Sequence, residues 1–157
     1  MTDDERFLDH AIALSRQGME DGAGGPFGAV VVMDGTVVGE GWNQVTSTND
    51  PTAHAEVVAI RNACRWLGRF DLRGATLYAS CEPCPMCLAS ILWARLDRVV
   101  YANTREQAAG IGFDDALIYE QVGLAPGARM IPCEHRPSAL ADQVFQAWTE
   151  KADRTPY

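Results

Sequence analysis

A mixed β-sheet with helices on both faces is the fold class the sequence predicts, and three features predict it. Residues 4–20 carry Phe7, Leu8, Ala11, Ile12, Ala13 and Leu14 on one broad apolar stripe with charges between them, the period of an amphipathic helix. Two β-branched runs then flank Asp34-Gly35 in "AVVVMDGTVVGEGWN", a pattern that reads as a hairpin. After the hairpin, short strand-like runs alternate with helical stretches, which places helices on both sides of the sheet.

Each element can be justified in turn. The loop "GAGGPFG" at 22–28 ends the first helix and lacks the spacings of a phosphate-binding loop. Asn49-Asp50-Pro51-Thr52 offers a polar cap followed by a proline, so a second helix is expected to start there. It runs to about Gly68, with Val57, Val58, Ile60, Ala63, Cys64 and Leu67 facing inward. "ATLYAS" at 75–80 reads as a buried strand, "CPMCLASILWARL" as a helix opening at Pro85, and "RVVYAN" at 98–103 as another strand. Short helices near 105–109 and 114–121, a strand near 128–133 and a final helix over 138–151 complete the reading. No repeat, low-complexity segment or linker interrupts the chain, so residues 1–157 are expected to form a single domain.

Bulk composition excludes several functions. The formal charge of −8 and the absence of a basic run disfavour a large polyanionic partner such as nucleic acid. No apolar run approaches the roughly 18 residues of a membrane helix, and the N-terminus has no signal-peptide pattern. A cytoplasmic protein is expected. Five cysteines, three of them in the window 81–87, suggest metal binding or catalysis rather than a disulfide framework.

Two stretches carry the chemistry. "AHAEV" at 53–57 places His54 and Glu56 two residues apart, which on a helix would point them about 200° apart. They can face one site only if they sit at a helix start. "CEPCPMC" at 81–87 places Cys84 in extended geometry before Pro85, with Cys87 one helical turn on. Thiolates are favoured at a helix N-terminus. Both helices follow strands, so His54, Cys84 and Cys87 can converge at one sheet edge. One histidine and two thiolates make a neutral zinc site, one ion per chain, with a fourth position open to water. Glu56 is then the proton carrier, with a raised pKa. The rival reading adds Cys81 and closes the site as a structural Cys₃His zinc, in a non-enzymatic module. A thiol redox protein using Cys84 and Cys87 is a third.

The joint pattern HxE followed by PCxxC is the known signature of zinc deaminases. At these residues the chain resembles the cytidine deaminase-like superfamily, and within it the small bacterial-type guanine deaminases. The likeness extends to "GGPFGAVVV", "TNDPTAHAEVVAIRNAC", "LYASCEPCPMCLASILWAR", "GFDDALIYE", "FQAW" and the terminal tyrosine. The superfamily implies a three-layer α/β/α sandwich with a mixed five-stranded sheet. The family implies hydrolysis of guanine to xanthine and ammonia, a purine base as partner, and Glu56 moving protons between water, ring nitrogen and departing amine. It further implies that the Ala55 N–H supports the reacting group and that Asn43 and Asp115 read the base, with Asp114 as the adjacent alternative. Phe27 and Trp93 would sandwich the base, and Tyr157 would close over the site. A homodimer is expected, with 138–157 packing on or exchanging with the partner. Guanosine, cytosine, an aminotriazine such as ammeline, and a tRNA adenosine stand as alternative substrates.

Overall fold

The computed structural model describes all residues, 1–157. They form two compact units, Met1–Ala116 and Leu117–Tyr157.

The first unit opens with α1 (Asp3–Glu20). Its start is fixed by a capping box, in which Thr2 accepts from the Glu5 amide and the Glu5 carboxylate accepts from the Thr2 amide. The hairpin strands β1 (Gly28–Met33) and β2 (Thr36–Trp42) pair antiparallel. Asp34 and Gly35 join them with φ of 49° and 73°, the left-handed pair that a two-residue hairpin turn requires. A single turn of helix, α2 (Val45–Thr48), leads to α3 (Ala55–Leu67). Then follow β3 (Ala75–Cys81), α4 (Pro85–Trp93), β4 (Arg98–Asn103) and α5 (Arg105–Gly110).

The sheet order is β2-β1-β3-β4. β1 is antiparallel to both of its neighbours, and β3 is parallel to β4. The sheet is mixed, as expected, but has four strands rather than five. The residues expected as a fifth strand, 128–133, instead contain the end of a 3-10 turn (Pro126–Ala128) and irregular chain. Pro132 has no N–H for a ladder, and the Met130 N–H is taken by Gln121 Oε1 at 2.7 Å.

Two cores cover the two faces. α1 lays Phe7, Ala11 and Leu14 against Val30, Val32 and Tyr78. On the other face Ala55, Ala59, Ile60 and Ala63 of α3 and Ile91 of α4 pack with Ala29, Val31, Leu77 and Ala79. The inward face of α3 is therefore alanine-rich; Cys64 and Leu67 pack against its edge as expected, while Val58 is only half-buried and lies outside this core. The cause lies in β2. A Cβ on Gly41 would lie 2.3 Å from the Ala55 carbonyl oxygen, and one on Gly39 would lie 2.4 Å from that of Ala59. The helix backbone rests directly on these glycines, and only alanine fits between.

α3 also begins later than its sequence suggests. Asp50 folds back on itself, its Oδ1 accepting from the Thr52 amide at 2.8 Å and the Thr52 hydroxyl at 2.7 Å. This Asx turn diverts the chain, and His54 becomes the N-cap. The C-terminal end lies where expected, with Gly68 left-handed at φ 64°.

The second unit holds most of α6 (Ala116–Gly123), the 3-10 turn, and α7 (Ala139–Glu150). Leu140, Val144, Phe145 and Trp148 line one face of α7, and all four are exposed.

At the first turn of α1, Arg98 grips the Asp4 carboxylate through two nitrogens at 2.9 and 2.6 Å, and the Tyr78 hydroxyl donates to it at 2.6 Å. Hydrogen bonds from Arg98 and then Tyr78 hold the Asp4 carboxyl down to about 2 from its ordinary 3.8. Asp4→Asn is expected to lower the melting temperature near pH 6, with the gap to the parent closing as pH falls from 3.8 towards about 2. Melting curves across that range check this; a gap that ignores pH would mean the charge contributes nothing. Gly41→Ala is expected to cost about 2 kcal/mol in urea unfolding, the scale of an overpacked core, because the clashing atoms are helix backbone.

Candidate metal and catalytic centre

β2 and β3 flank β1 and are both antiparallel to it, so they run in the same direction. α3 follows β2 and α4 follows β3, which brings both helix starts to one edge of the sheet. Each N-cap is a metal-binding residue type in extended conformation. His54 has φ −69° and ψ 154°, and Cys84 has φ −67° and ψ 170° with Pro85 behind it. Neither side chain caps its own helix, so both project forward.

They meet. Cys84 Sγ and Cys87 Sγ each lie 3.5 Å from His54 Nδ1. Ligand atoms of the three residues all fall within 4.8 Å of one another. Tetrahedral zinc with ordinary Zn–N and Zn–S bonds would separate a nitrogen from a sulfur by about 3.6 Å, so this donor set fits the ion. Glu56 is buried, and its Oε2 lies 3.4 Å from Cys87 Sγ. The i, i+2 spacing of His54 and Glu56 is thus resolved by the cap: His54 is not helical, and both side chains reach Cys87.

The electrostatics match. Cys84 is held down to about 4, first by the hydrogen bond with Cys87 and also by that with His54. The same bond with Cys84, together with burial, pushes the Cys87 thiol up. A cation bound here would displace the Cys87 proton. His54 is raised by its hydrogen bond with Cys84. Burial raises Glu56 above the usual carboxylate range, as a proton carrier needs.

Cys81 stands apart from this group. Its thiol is directed to the Thr104 carbonyl at 3.7 Å, and burial pushes it up to about 11. The closed Cys₃His arrangement is not formed, and no disulfide is present among the five free cysteines.

Around the centre, the other expected residues separate. Asn43 is buried, and its Oδ1 accepts from the amides of Gly25 at 3.2 Å and Val45 at 3.1 Å. Two N–H donors fix which end of the carboxamide is oxygen. Ala55 is fully buried at the first position of α3, where amides lack intrahelical partners. Asp114 Oδ1 accepts from the Ala116 amide at 2.9 Å and so serves the start of α6. Asp115 is half-buried; burial and the nearby Cys84 charge raise its carboxyl, while Arg105 opposes them. Of the two acids, Asp115 is the one in the field of the centre.

Phe27 meets Phe113 edge-on, with ring centroids 4.9 Å apart at 89°. Phe113 was missed in the sequence reading, although "GFDD" contains it. Trp93 closes α4, at the other end of the helix from Cys84, and is 64% exposed. Tyr157 is exposed at the end of the second unit.

A three-layer α/β/α fold with a histidine and two cysteines at paired helix starts, and a buried glutamate behind them, defines a class of metal-assisted hydrolytic enzymes. The family model of the cytidine and deoxycytidylate deaminase zinc-binding region matches residues 1–103, and the chain belongs to this family. It is 48% identical over 153 residues to a guanine deaminase of Bacillus subtilis (strain 168), covering 98% of each chain. The X-ray structure of guanine deaminase from Bacillus subtilis superposes with a TM-score of 0.95 over 98% of each chain, at 48% identity. A tRNA-specific adenosine deaminase of Haemophilus influenzae is 34% identical, over 87% of this chain and 82% of its own.

Proposed function

We propose that this chain is a zinc-dependent guanine deaminase, converting guanine and water to xanthine and ammonia. The observation that carries the chemistry is the position of Cys87 Sγ, 3.5 Å from His54 Nδ1 and 3.4 Å from Glu56 Oε2, which puts a metal-binding group and a buried proton carrier side by side. The end-to-end similarity to a guanine deaminase supports the substrate.

His54, Cys84 and Cys87 hold one zinc ion per chain. Bound there, the ion supplies a Lewis acid that brings water into range of deprotonation near neutral pH. Glu56 accepts one proton of the attacking water and passes it to a ring nitrogen as the C2–O bond forms. It then takes the second proton from the new C2 hydroxyl and passes it to the amine as the C2–N bond breaks and ammonia leaves. The Ala55 N–H, in the first turn of α3, offers a fixed donor to charge developing at the reacting carbon. Asn43 donates to an acceptor on the base, and Asp115 accepts from N–H groups that guanine has on its pairing edge and adenine lacks. Phe27, backed by Phe113, gives the flat ring an apolar wall.

The exposed face of α7, with Leu140, Val144, Phe145 and Trp148, supports a homodimer in which the C-terminal segment docks on a second copy. Tyr157 would then close over a site. The free cysteines fit a reducing cytoplasm.

The similarity to a tRNA-specific enzyme favours a second reading, adenosine in tRNA, but the charge of −8 opposes it. Ammonia release from guanine, guanosine, cytosine, ammeline and a tRNA anticodon hairpin separates these. Guanine should give the highest kcat/KM; inert guanine beside any active alternative overturns the substrate. Glu56→Gln should keep one zinc per chain while activity falls about 10³-fold or more. Loss of zinc in that variant would make Glu56 a structural residue instead.

A further inference from the structure

In the loop 22–28 Phe27 walls the base, but the glycines before it have no role in the chemistry above, and two of them meet the base-reading residue. A Cβ on Gly24 would lie 2.2 Å from Asn43 Oδ1 and 2.6 Å from the Asn43 carbonyl oxygen. The next residue, Gly25, donates its amide to the same Oδ1 at 3.2 Å. Val45 donates from the other side at 3.1 Å. The Asn43 amide in turn donates to the Phe27 carbonyl at 3.0 Å, and the Ser47 amide to that of Ala23 at 3.2 Å. Backbone bonds at residues 23 and 27 thus tie the loop to residues 43–47, with Gly24 and Gly25 against the carboxamide, and it can close this far only because position 24 has no side chain. Gly24 does not have positive φ, so backbone strain does not explain a glycine here; the contact with Asn43 does.

We propose that Gly24 is a positioning residue for substrate specificity, acting through Asn43. By allowing the loop to close on Oδ1, it turns the carboxamide so that only its NH₂ faces the substrate. The site then selects a heterocycle with a hydrogen-bond acceptor at that point, such as O6 or N7 of guanine. This rests on guanine being the substrate.

A double-mutant cycle tests it, using the full-length zinc-loaded protein as parent, Gly24→Ala, Asn43→Ala and the double variant, with zinc content measured in each. Gly24→Ala should raise KM for guanine about tenfold, the scale of one hydrogen bond, with kcat within about threefold, the mark of lost uniform binding. In the Asn43→Ala background the same change should leave KM within about twofold. Equal losses in both backgrounds would overturn the proposal, as would an unchanged KM in the single variant. A second variant keeps the test open should Gly24→Ala fold poorly: Asn43→Asp retains an oxygen for the Gly25 and Val45 amides but lacks the NH₂. It should raise KM for guanine about tenfold with kcat within about threefold, and an unchanged KM overturns the proposal. If the parent fails to turn over guanine, the substrate reading falls first, while the same variants measured on the base it does turn over still decide whether the carboxamide NH₂ faces the substrate.

Discussion

Everything at this centre depends on two strands running the same way. β2 and β3 lie on either side of β1 and are both antiparallel to it. The helices that follow them start side by side at one sheet edge, and each start is an extended residue whose side chain points past the helix rather than around it. Gly39 and Gly41 let α3 descend until its backbone rests on β2. The alanine face of α3 and the position of His54 follow from that close approach. The precision of the site is thus set by backbone packing several residues away from it.

The electrostatics have the same origin. Two sulfurs and an imidazole within 4.8 Å of one another cannot all keep their ordinary protonation. Cys84 is held down to about 4 while the Cys87 thiol is pushed up, and burial raises the Glu56 carboxyl. A divalent cation held by the three residues would take both sulfurs as thiolates, and its charge would draw the neighbouring Glu56 carboxyl back down. The separation of roles comes from position: caps for the metal, the second residue of α3 for the proton.

Much of this was legible in the sequence, for physical reasons particular to each element. Asp34-Gly35, Pro85 and Gly68 each demand a narrow backbone geometry, so they mark the hairpin turn, a helix start and a helix end. The spacing of His54, Glu56, Cys84 and Cys87 specifies donor chemistry that few other arrangements use. What stayed hidden depends on distant partners. Asp50-Pro51-Thr52 reads as a cap but spends its hydrogen bonds on a turn. Met130 and Ile131 have strand character, yet a strand exists only by pairing, and the Met130 amide pairs with Gln121 instead. Phe113 and Gly24 matter through Phe27 and Asn43, which lie 86 and 19 positions away in a chain of 157, and no local pattern reports such contacts.

The central claim is that two sulfurs and one imidazole hold the ion, with Cys81 turned towards Thr104. Zinc K-edge X-ray absorption on the loaded protein measures this directly. The account predicts two sulfur scatterers at about 2.3 Å and two lighter nitrogen or oxygen scatterers at about 2.0–2.1 Å. Three sulfurs would place Cys81 in the coordination sphere, leave no position for water, and contradict the enzyme described here.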